Sequence, residues 1–563
     1  MNKSILAVLI ALCVNCVCAA DGIRAVERNV LRLLTENPDV IAQGEKAADA
    51  LRADGTWADI DYKDRNGVLW SLCTGHLGRT VEMAAAWRLT AKPHLAEAFR
   101  RALGWWLDEN PTVANWWWND IGVPIRLGEA ALCAKPLLTG EEKKAIDSIL
   151  SRRGISMSGQ NRVWLARVAL RRSLLNGDER LLAAASGTIA GEIAFKGVEG
   201  IQKDWSFHQH GNQPQFGNYG LSYIVDMTKL AVVFSGTRFA FSPRKMEMLN
   251  NLFEKGYAWT LWKGRLDVSC IPRHWWPDAD VKKGGQVLSA AAMLGRCGGE
   301  SRRIAEAFAA DRGPLGFKTF PTSAMTFYRQ NGWMASHKGG TKSIRGVETW
   351  IIRDNTKGQH QQDGTLCTTV TGREYWNIAA LWNWRKLPGI TSCIDLPPSA
   401  YNDRYDPTGP NQLEDYRGEK TAQGGVVTFG VAREGIRYRQ RITFSPEGIL
   451  SETTDISCTN DSRVATCIEA ANAAPDAGIV SQTETETRLR NGAIDYIVYA
   501  PKDAVEVFVG ERVGDYHDFM AGLPKGTLHK GRVFEVCVNH GRLPKGASCR
   551  YRILPHVRET ENR

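Results

Sequence analysis

The periodicity of apolar residues changes once along this chain, and that change restricts the fold more than any other feature. From Asp21 to about Arg312 the apolar positions recur at helical spacing. Val26, Val30, Leu31 and Leu33 form one stripe, and Val81 to Leu89, Ile121 to Leu132 and Val163 to Leu174 repeat the type. Short connections bearing Gly, Asn or Pro separate them, as at Glu109-Asn110-Pro111 and Leu175-Asn176-Gly177. Such a succession predicts ten or more helices in antiparallel pairs, an α-solenoid or an α/α toroid. After Asp311-Arg312-Gly313-Pro314 the texture becomes short alternating runs: Ser323 to Tyr328, Thr365 to Thr371, Val426 to Phe429, Ile436 to Phe444 and Ile494 to Tyr499. These predict antiparallel strands in one or two packed sheets, with a domain junction near residues 311–320.

The length of 563 residues exceeds what one hydrophobic core serves, which agrees with a multidomain α+β chain. Met1-Asn2-Lys3, an apolar run from Ile5 to Val17 and Ala19-Ala20 before Asp21 form the three parts of a secretory signal peptide, too short to span a membrane. The boundaries read from sequence are a signal at 1–20, a helical domain at 21–312, a central β-sandwich at 313–480 and a C-terminal β region at 481–563. Export is the expectation. No later apolar stretch approaches a membrane span, and no C-x-x-C spacing suggests a zinc ribbon or redox motif. Disulfides are open to an exported chain, with a pairing that sequence does not give. The net charge of +10 suits a polyanionic partner and equally many proteins without one. Nucleic acid is not an expected partner.

Chemistry concentrates between Asp204 and Gly220, where His208, His210 and Tyr219 share a segment punctuated by Gly211, Pro214, Gly217 and Gly220. Loops on a rigid scaffold can aim side chains into a cleft. An imidazole titrates near neutrality and a phenol near ~10, a pairing suited to removing one proton and delivering another. A polar surface connection would use the same residues. His208 and His210 form an H-x-H pair, but no further ligand follows at metal-site spacing, so no metal or cofactor is predicted. Structural calcium is neither indicated nor opposed.

Asn115-Trp116-Trp117-Trp118 places three indoles in different directions, so at least one should stand exposed where its face can stack on a sugar ring. Ser158-Gly159-Gln160-Asn161-Arg162 reads as a polar turn before a helix from Val163, with Asn161 as its N-cap.

Taken together these segments resemble a polysaccharide lyase of the family of chondroitin AC, hyaluronate and xanthan lyases. The resemblance rests on Asn115-Trp116-Trp117 with Ile121-Gly122-Val123-Pro124, on Gly159-Gln160-Asn161-Arg162, and on His210-Gly211 followed by Tyr219-Gly220. It continues in Asn355-Thr356-Lys357-Gly358, Asp363-Gly364, Tyr375-Trp376-Asn377 and the run from Leu381 to Ser392. It implies an α/α toroid, an incomplete barrel, followed by antiparallel β-sandwich domains. It also implies cleavage of an acidic, uronate-bearing polysaccharide by β-elimination, leaving an unsaturated uronate. Asn161 would stabilise the charge that develops on the uronate carboxylate, His210 or Tyr219 would remove the C5 proton, and Tyr219 would protonate the departing O4. Arg273 and Glu348 complete the implied catalytic set. Asn115, Trp116, Trp117, Trp118, Gln160 and His208 are the implied substrate-binding residues.

The chain departs from the family pattern in three places. Ser269 stands where the first of two arginines is expected, Glu348 is displaced by about one position, and Ile351 or Ile352 replaces an Asn. Two other classes fit parts of the sequence: a glycoside hydrolase using Asp120 and Asp204 as its two carboxylic acids, and a non-catalytic glycan-binding protein built on the Trp cluster.

Overall fold

A computed structural model describes residues 22–63, 72–349, 354–397 and 411–556. The expected signal peptide and the Ile351 and Ile352 positions lie outside the described residues. Two compact units emerge. One comprises the chain up to Ala194 together with Asp226–Met248, and the other comprises Phe195–Val225 together with the chain from Leu249 onward.

The first unit is helical. Gly22–Thr35, Val40–Asp49, Leu77–Thr90, Pro93–Glu109, Val123–Cys133, Gly140–Leu150, Gly159–Asn176 and Glu179–Glu192 follow one another; Leu77–Thr90 packs against Val40–Asp49, Pro93–Glu109 and Val123–Cys133, and Gly159–Asn176 packs against Val123–Cys133 and Glu179–Glu192. Their apolar stripes supply the core, with Leu77, Met83, Phe99, Leu103, Trp106, Leu127 and Leu174 fully buried. Helix ends obey local chemistry: Thr139 and Glu142 form a reciprocal capping box, and Asp178 accepts from the Leu181 N–H. A buried ion network crosses this unit, where Glu129 accepts from Arg171 at 2.6 Å and Asp226 accepts from Arg167.

Helices Tyr219–Phe234 and Pro243–Lys255 each run from one unit into the other, and the second unit carries Ala279–Gly295 and Gly299–Ala309 and then three larger antiparallel sheets. Gly316–Phe320, Met325–Gln330, Trp333–Gly339 and Asp363–Thr369 form a four-stranded meander. An eight-stranded sheet runs in the order Tyr416–Thr421, Gly424–Arg433, Ile436–Ser445, Gly448–Cys458, Ala547–Pro555, Ile494–Tyr499, Glu486–Asn491, Gly478–Gln482. Val505–Asp515, Leu528–Arg542, Arg463–Asn472 and Thr391–Cys393 form the third. Strand Ile436–Ser445 alternates buried and exposed side chains along most of its length, the signature of a sheet with one covered face. One core joins all three sheets through residues such as Tyr328, Phe429, Ile442, Tyr496, Phe534 and Tyr551. The last strand, Ala547–Pro555, is inserted between strands on either side of residue 480, so both stretches of chain build one sheet. No helix among the described residues is long and apolar enough to cross a membrane.

Candidate active site

The segment from Phe195 to Tyr219 is fixed by short, local devices. Gly200–Ile201 pairs with Phe207–His208, and isolated bridges join Phe195 to Ile201 and His208 to Pro214. The Glu199 carboxylate accepts from the Gly211 N–H at 3.0 Å and from the Gln209 amide at 2.6 Å. His210 is held at φ 60° and Gly211 at φ 82°, an adjacent pair in the left-handed region. A non-glycine residue pays for that conformation, and surroundings must impose it. Gly217 meets a different demand: a Cβ there would lie 2.5 Å from the Cys270 carbonyl oxygen, whose acceptor the Gly217 N–H uses at 2.9 Å. The Lys283 ammonium, itself buried, donates to the Gly217 carbonyl.

This scaffold brings four of the expected residues together. His210 Nδ1 lies 2.9 Å from Glu348 Oε1, and Arg273 Nη1 donates to the same oxygen at 2.7 Å. Gln215 Nε2 donates to the other oxygen, Oε2, at 2.9 Å. The His210 and Tyr219 rings meet edge to face with centroids 4.7 Å apart, and the Arg273 guanidinium stands 6.0 Å from the Tyr219 ring centre. Glu348 is placed by its own backbone, because its N–H donates to the Pro272 carbonyl and its carbonyl accepts from the buried Asn355 amide.

The electrostatics follow from these contacts. Burial alone would raise the Glu348 carboxyl, but Arg273, His210 and Gln215 outweigh it and hold the group well below the usual carboxylate range. Glu348 is therefore ionised and only accepts. The proton of the neutral His210 ring must then sit on Nδ1, which leaves Nε2 as the nitrogen with a free lone pair. Burial pushes the Tyr219 phenol up to about 12, against the opposing pull of Arg273. Tyr219 is thus a phenol at neutral pH, a proton donor beside a base of fixed tautomer.

Several expectations change. His208, expected to touch substrate, is 1% exposed and paired with the Ser323 hydroxyl at 2.9 Å, because it lies in the two-residue strand whose inner face is core. Gln160, expected likewise, is fully buried and donates to Asp226 at 2.7 Å. Asn161 is not an N-cap: Ser158 occupies that position, the helix begins at Gly159, and Asn161 falls in its first turn. There its side chain is 5% exposed, and its carbonyl oxygen has no hydrogen-bond partner. Ser269 is buried against Asp267 and not in an arginine's role. Tyr219 opens the helix Tyr219–Phe234 and does not end a loop.

In the helical unit Trp116 is 38% exposed beneath the Arg153 guanidinium, 5.0 Å from its ring centre, while Trp117 packs edge to face on Trp118 and Trp164. Asn115 accepts from the Trp117 N–H and so starts the turn. A wide π-type turn spans Trp118–Gly122, and a Cβ on Gly122 would lie 2.6 Å from the Trp118 ring. The two acids of the hydrolase reading are both engaged locally: Asp120 pairs with Arg153, and Asp204 accepts from Ser206 and Thr322. Among the described residues no group of three or more His, Cys, Asp or Glu side chains is arranged to hold a metal ion. Sequence reasoning missed Glu199, Gln213, Gln215 and Lys283. Only the Gln213 and Gln215 pair left a trace there, as like residues two apart.

Comparison with known proteins gives this arrangement its class. The model described as polysaccharide lyase family 8, N terminal alpha-helical domain, matches residues 31–273, and the one described as polysaccharide lyase family 8, super-sandwich domain, matches residues 315–563. The protein is a polysaccharide lyase. The chain belongs to polysaccharide lyase family 8. It is similar to a chondroitinase-AC of Pedobacter heparinus, with 24% identity over 93% of this chain and 78% of that protein. A hyaluronate lyase of Thermasporomyces composti shares 22% identity over 87% of this chain and 69% of that protein. Among solved structures, a chondroitinase AC lyase studied with bound oligosaccharides superposes with a TM-score of 0.84 at 21% identity, covering 96% of this chain and 84% of that one. A Streptomyces coelicolor A3 chondroitin AC lyase in complex with chondroitin sulphate gives 0.81 at 18% identity, covering 96% and 83%. The α/α toroid followed by antiparallel sandwich sheets is the fold these structures share.

Proposed function

We propose that this lyase, exported from the cell, cleaves the bond to C4 of a uronate residue in an acidic polysaccharide by β-elimination. The observation that carries the reading is the single carboxylate of Glu348 serving His210, Arg273 and Gln215 beside the Tyr219 phenol. The C5 proton next to a carboxylate is barely acidic, because its removal puts a second negative charge on one group. The amide that the resemblance assigns to Asn161 meets that need, since a preorganised donor at developing charge is worth ~10²–10³ in rate. His210 takes the C5 proton through Nε2, the nitrogen that the Nδ1–Glu348 bond leaves free. Tyr219 delivers its phenolic proton to O4 as the C4–O4 bond breaks, and the electron pair from C5–H becomes the C4–C5 double bond. The chain separates without consuming water.

A second assignment is favoured by the nearness of Arg273 to Tyr219: the cation assists a tyrosinate that takes the C5 proton and returns it to O4. Burial opposes it, because ionising a phenol raised to about 12 costs about 5 kcal/mol at pH 8. The relatives' names, chondroitinase-AC, hyaluronate lyase and xanthan lyase, support a uronate-bearing polymer as substrate. The test is a panel of chondroitin, hyaluronan and plant or bacterial uronate polymers, followed by the ultraviolet absorbance of the conjugated unsaturated uronate. Growth of absorbance with each cut is the expected result. New reducing ends without absorbance would mean hydrolysis and would overturn the proposal, and binding without any cut would reduce the protein to a glycan-binding module.

A further inference from the structure

We propose that Cys393 and Cys458 are joined in a disulfide that staples two sheets of the second unit together. The two thiols are in contact, Sγ to Sγ at 3.4 Å, although 65 positions separate them in sequence. Cys393 is the last residue of Thr391–Cys393, a three-residue strand at the edge of the four-stranded sheet that contains Arg463–Asn472. Cys458 is the last residue of Gly448–Cys458, an interior strand of the eight-stranded sheet. Both belong to the core that the sheets share, at 1% and 7% exposure. A disulfide needs its sulfurs about 2.05 Å apart, so side-chain rotation must close about 1.4 Å.

The placement suits a cross-link. Thr391–Cys393 is a short strand registered on its sheet by three residue pairs, Val464 with Cys393, Ala465 with Ser392 and Thr466 with Thr391, with flanking bonds from the Ile394 N–H to Arg463 and from the Cys467 N–H to Ile390. It ends the run from Leu381 to Ser392, and the chain leaves it with Arg385 bonded to the Pro397 carbonyl and Ser392 to the Arg385 carbonyl. A short edge strand is the part of a sheet with least to hold it. A covalent tie from its last residue to an interior strand of the eight-stranded sheet adds a link between the sheets that the ladder bonds do not make.

The chemistry also fixes when the bond forms. Attack requires a thiolate, and burial pushes the Cys393 thiol up to about 12, so the closed core reacts slowly. Oxidation therefore belongs to folding, before the sheets close. The oxidant is a small-molecule or protein disulfide: the Cys458 thiolate attacks one of its sulfurs and expels one thiol, then the Cys393 thiolate attacks the mixed disulfide and expels the second. Two S–H bonds are lost and one S–S bond is gained, and the two electrons and two protons end on the two thiols of the oxidant.

The experiment unfolds the reduced full-length chain in denaturant, refolds it with a mixture of oxidised and reduced glutathione or with reductant alone, and maps peptides without reduction. The expected result is a linked peptide pair containing Cys393 and Cys458, two fewer titratable thiols, and a Tm higher by about 5 °C, the scale set by closing a loop of this length in the unfolded chain. The variant carrying both Cys393→Ser and Cys458→Ser should show no difference between the two refolding conditions. Free Cys393 and Cys458 after oxidative refolding would overturn the proposal. So would a link found solely between Cys467 and Cys537, which face one another across adjacent strands, or a Tm increment that survives in the double variant.

Discussion

Replacing Glu348 by Gln probes the site with the smallest change of shape. The wild-type carboxylate accepts three hydrogen bonds, from His210 Nδ1, Arg273 Nη1 and Gln215 Nε2, and offers no proton in return. A glutamine keeps one accepting oxygen and points an NH2 group at a second donor, so at least one of the three bonds is lost. A hydrogen bond to a charged group contributes about 1.5–3 kcal/mol, and this is the preference that now keeps the His210 proton on Nδ1. Since about 1.4 kcal/mol is a factor of ten, losing that preference should lower kcat by about 10- to 100-fold, with KM moving far less. Arg273 is left buried without a carboxylate, which should cost about 3–5 kcal/mol of stability and lower Tm as well. The assay is initial-rate formation of unsaturated product on the best polymer of the panel, with thermal unfolding on the same preparations. Glu348→Asp keeps the charge, so it should recover part of the stability while remaining slow through misplacement. A Glu348→Gln variant that folds and turns over within about threefold of wild type would refute the tautomer argument.

Tyr219→Phe removes the acidic proton and keeps the ring, so kcat should fall by ~10³ or more with substrate affinity retained; near-normal turnover would take Tyr219 out of the mechanism. Asn161→Ala should lower kcat by ~10²–10³, the worth of one preorganised donor, and a loss under about fivefold would mean that the amide at 161 does not meet the developing charge. Stability should also depend on acid pH. Burial lowers His76, His208, His274, His337 and His540 to about 4, against about 6.5 for an unfolded imidazole. Between those values the unfolded chain binds more protons than the folded one. Each histidine therefore withdraws up to about 3 kcal/mol as the pH drops from 6.5 to 4, and the loss levels off below that. Glu348 adds nothing above about pH 4.5, since a carboxyl held well below the usual range starts to lose its contribution only as the pH falls below the unfolded value of about 4.3, and goes on losing it at lower pH. Denaturant midpoints measured from pH 7 to 4 should fall steeply, and a flat profile from 7 to 5 would contradict the histidine burial.

The two periodicities were legible because each follows from backbone geometry alone. Ile494–Tyr499 forms the strand its alternation predicts, and the helical stripe from Val163 is found within Gly159–Asn176. The motif-bearing residues His210 and Tyr219 were legible as well, because glycines and a proline set them off. Of their partners, Arg273 and Glu348 were named only through the family resemblance and Glu199 not at all, because the contacts that join them follow no local pattern. Glu348 reaches His210 across 138 positions, Arg273 reaches Glu348 across 75, and Glu199 holds the Gly211 amide across 12 with no local pattern to announce it. The burial of His208 was illegible for another reason. A two-residue strand has no periodicity, and whether its histidine faces core or cleft depends on Ser323, over a hundred residues away. Asn161 was misread as a cap because an N-cap and a first-turn residue differ by the conformation of one glycine, and Gly159 takes φ 56°.

The strain at His210 connects these observations. A histidine at φ 60° persists only where the fold over-determines it, and the segment on either side is held from several directions. Glu199 grips the following amide, the Asn212 carbonyl accepts from the Arg345 N–H, Gln213 donates to the Val347 carbonyl, and Gln215 reaches the same carboxylate that holds the ring. Each of these bonds falls on the backbone or on a neighbour of His210, and the imidazole itself is left one fixed bond and a 28% exposed side chain. A residue held for stability alone would be satisfied at both nitrogens and buried. Here the surroundings fix the backbone and one nitrogen and leave the ring partly open, which is the condition a general base must meet to accept a proton in one direction only. The departure at Ser269, buried against Asp267, touches none of these bonds.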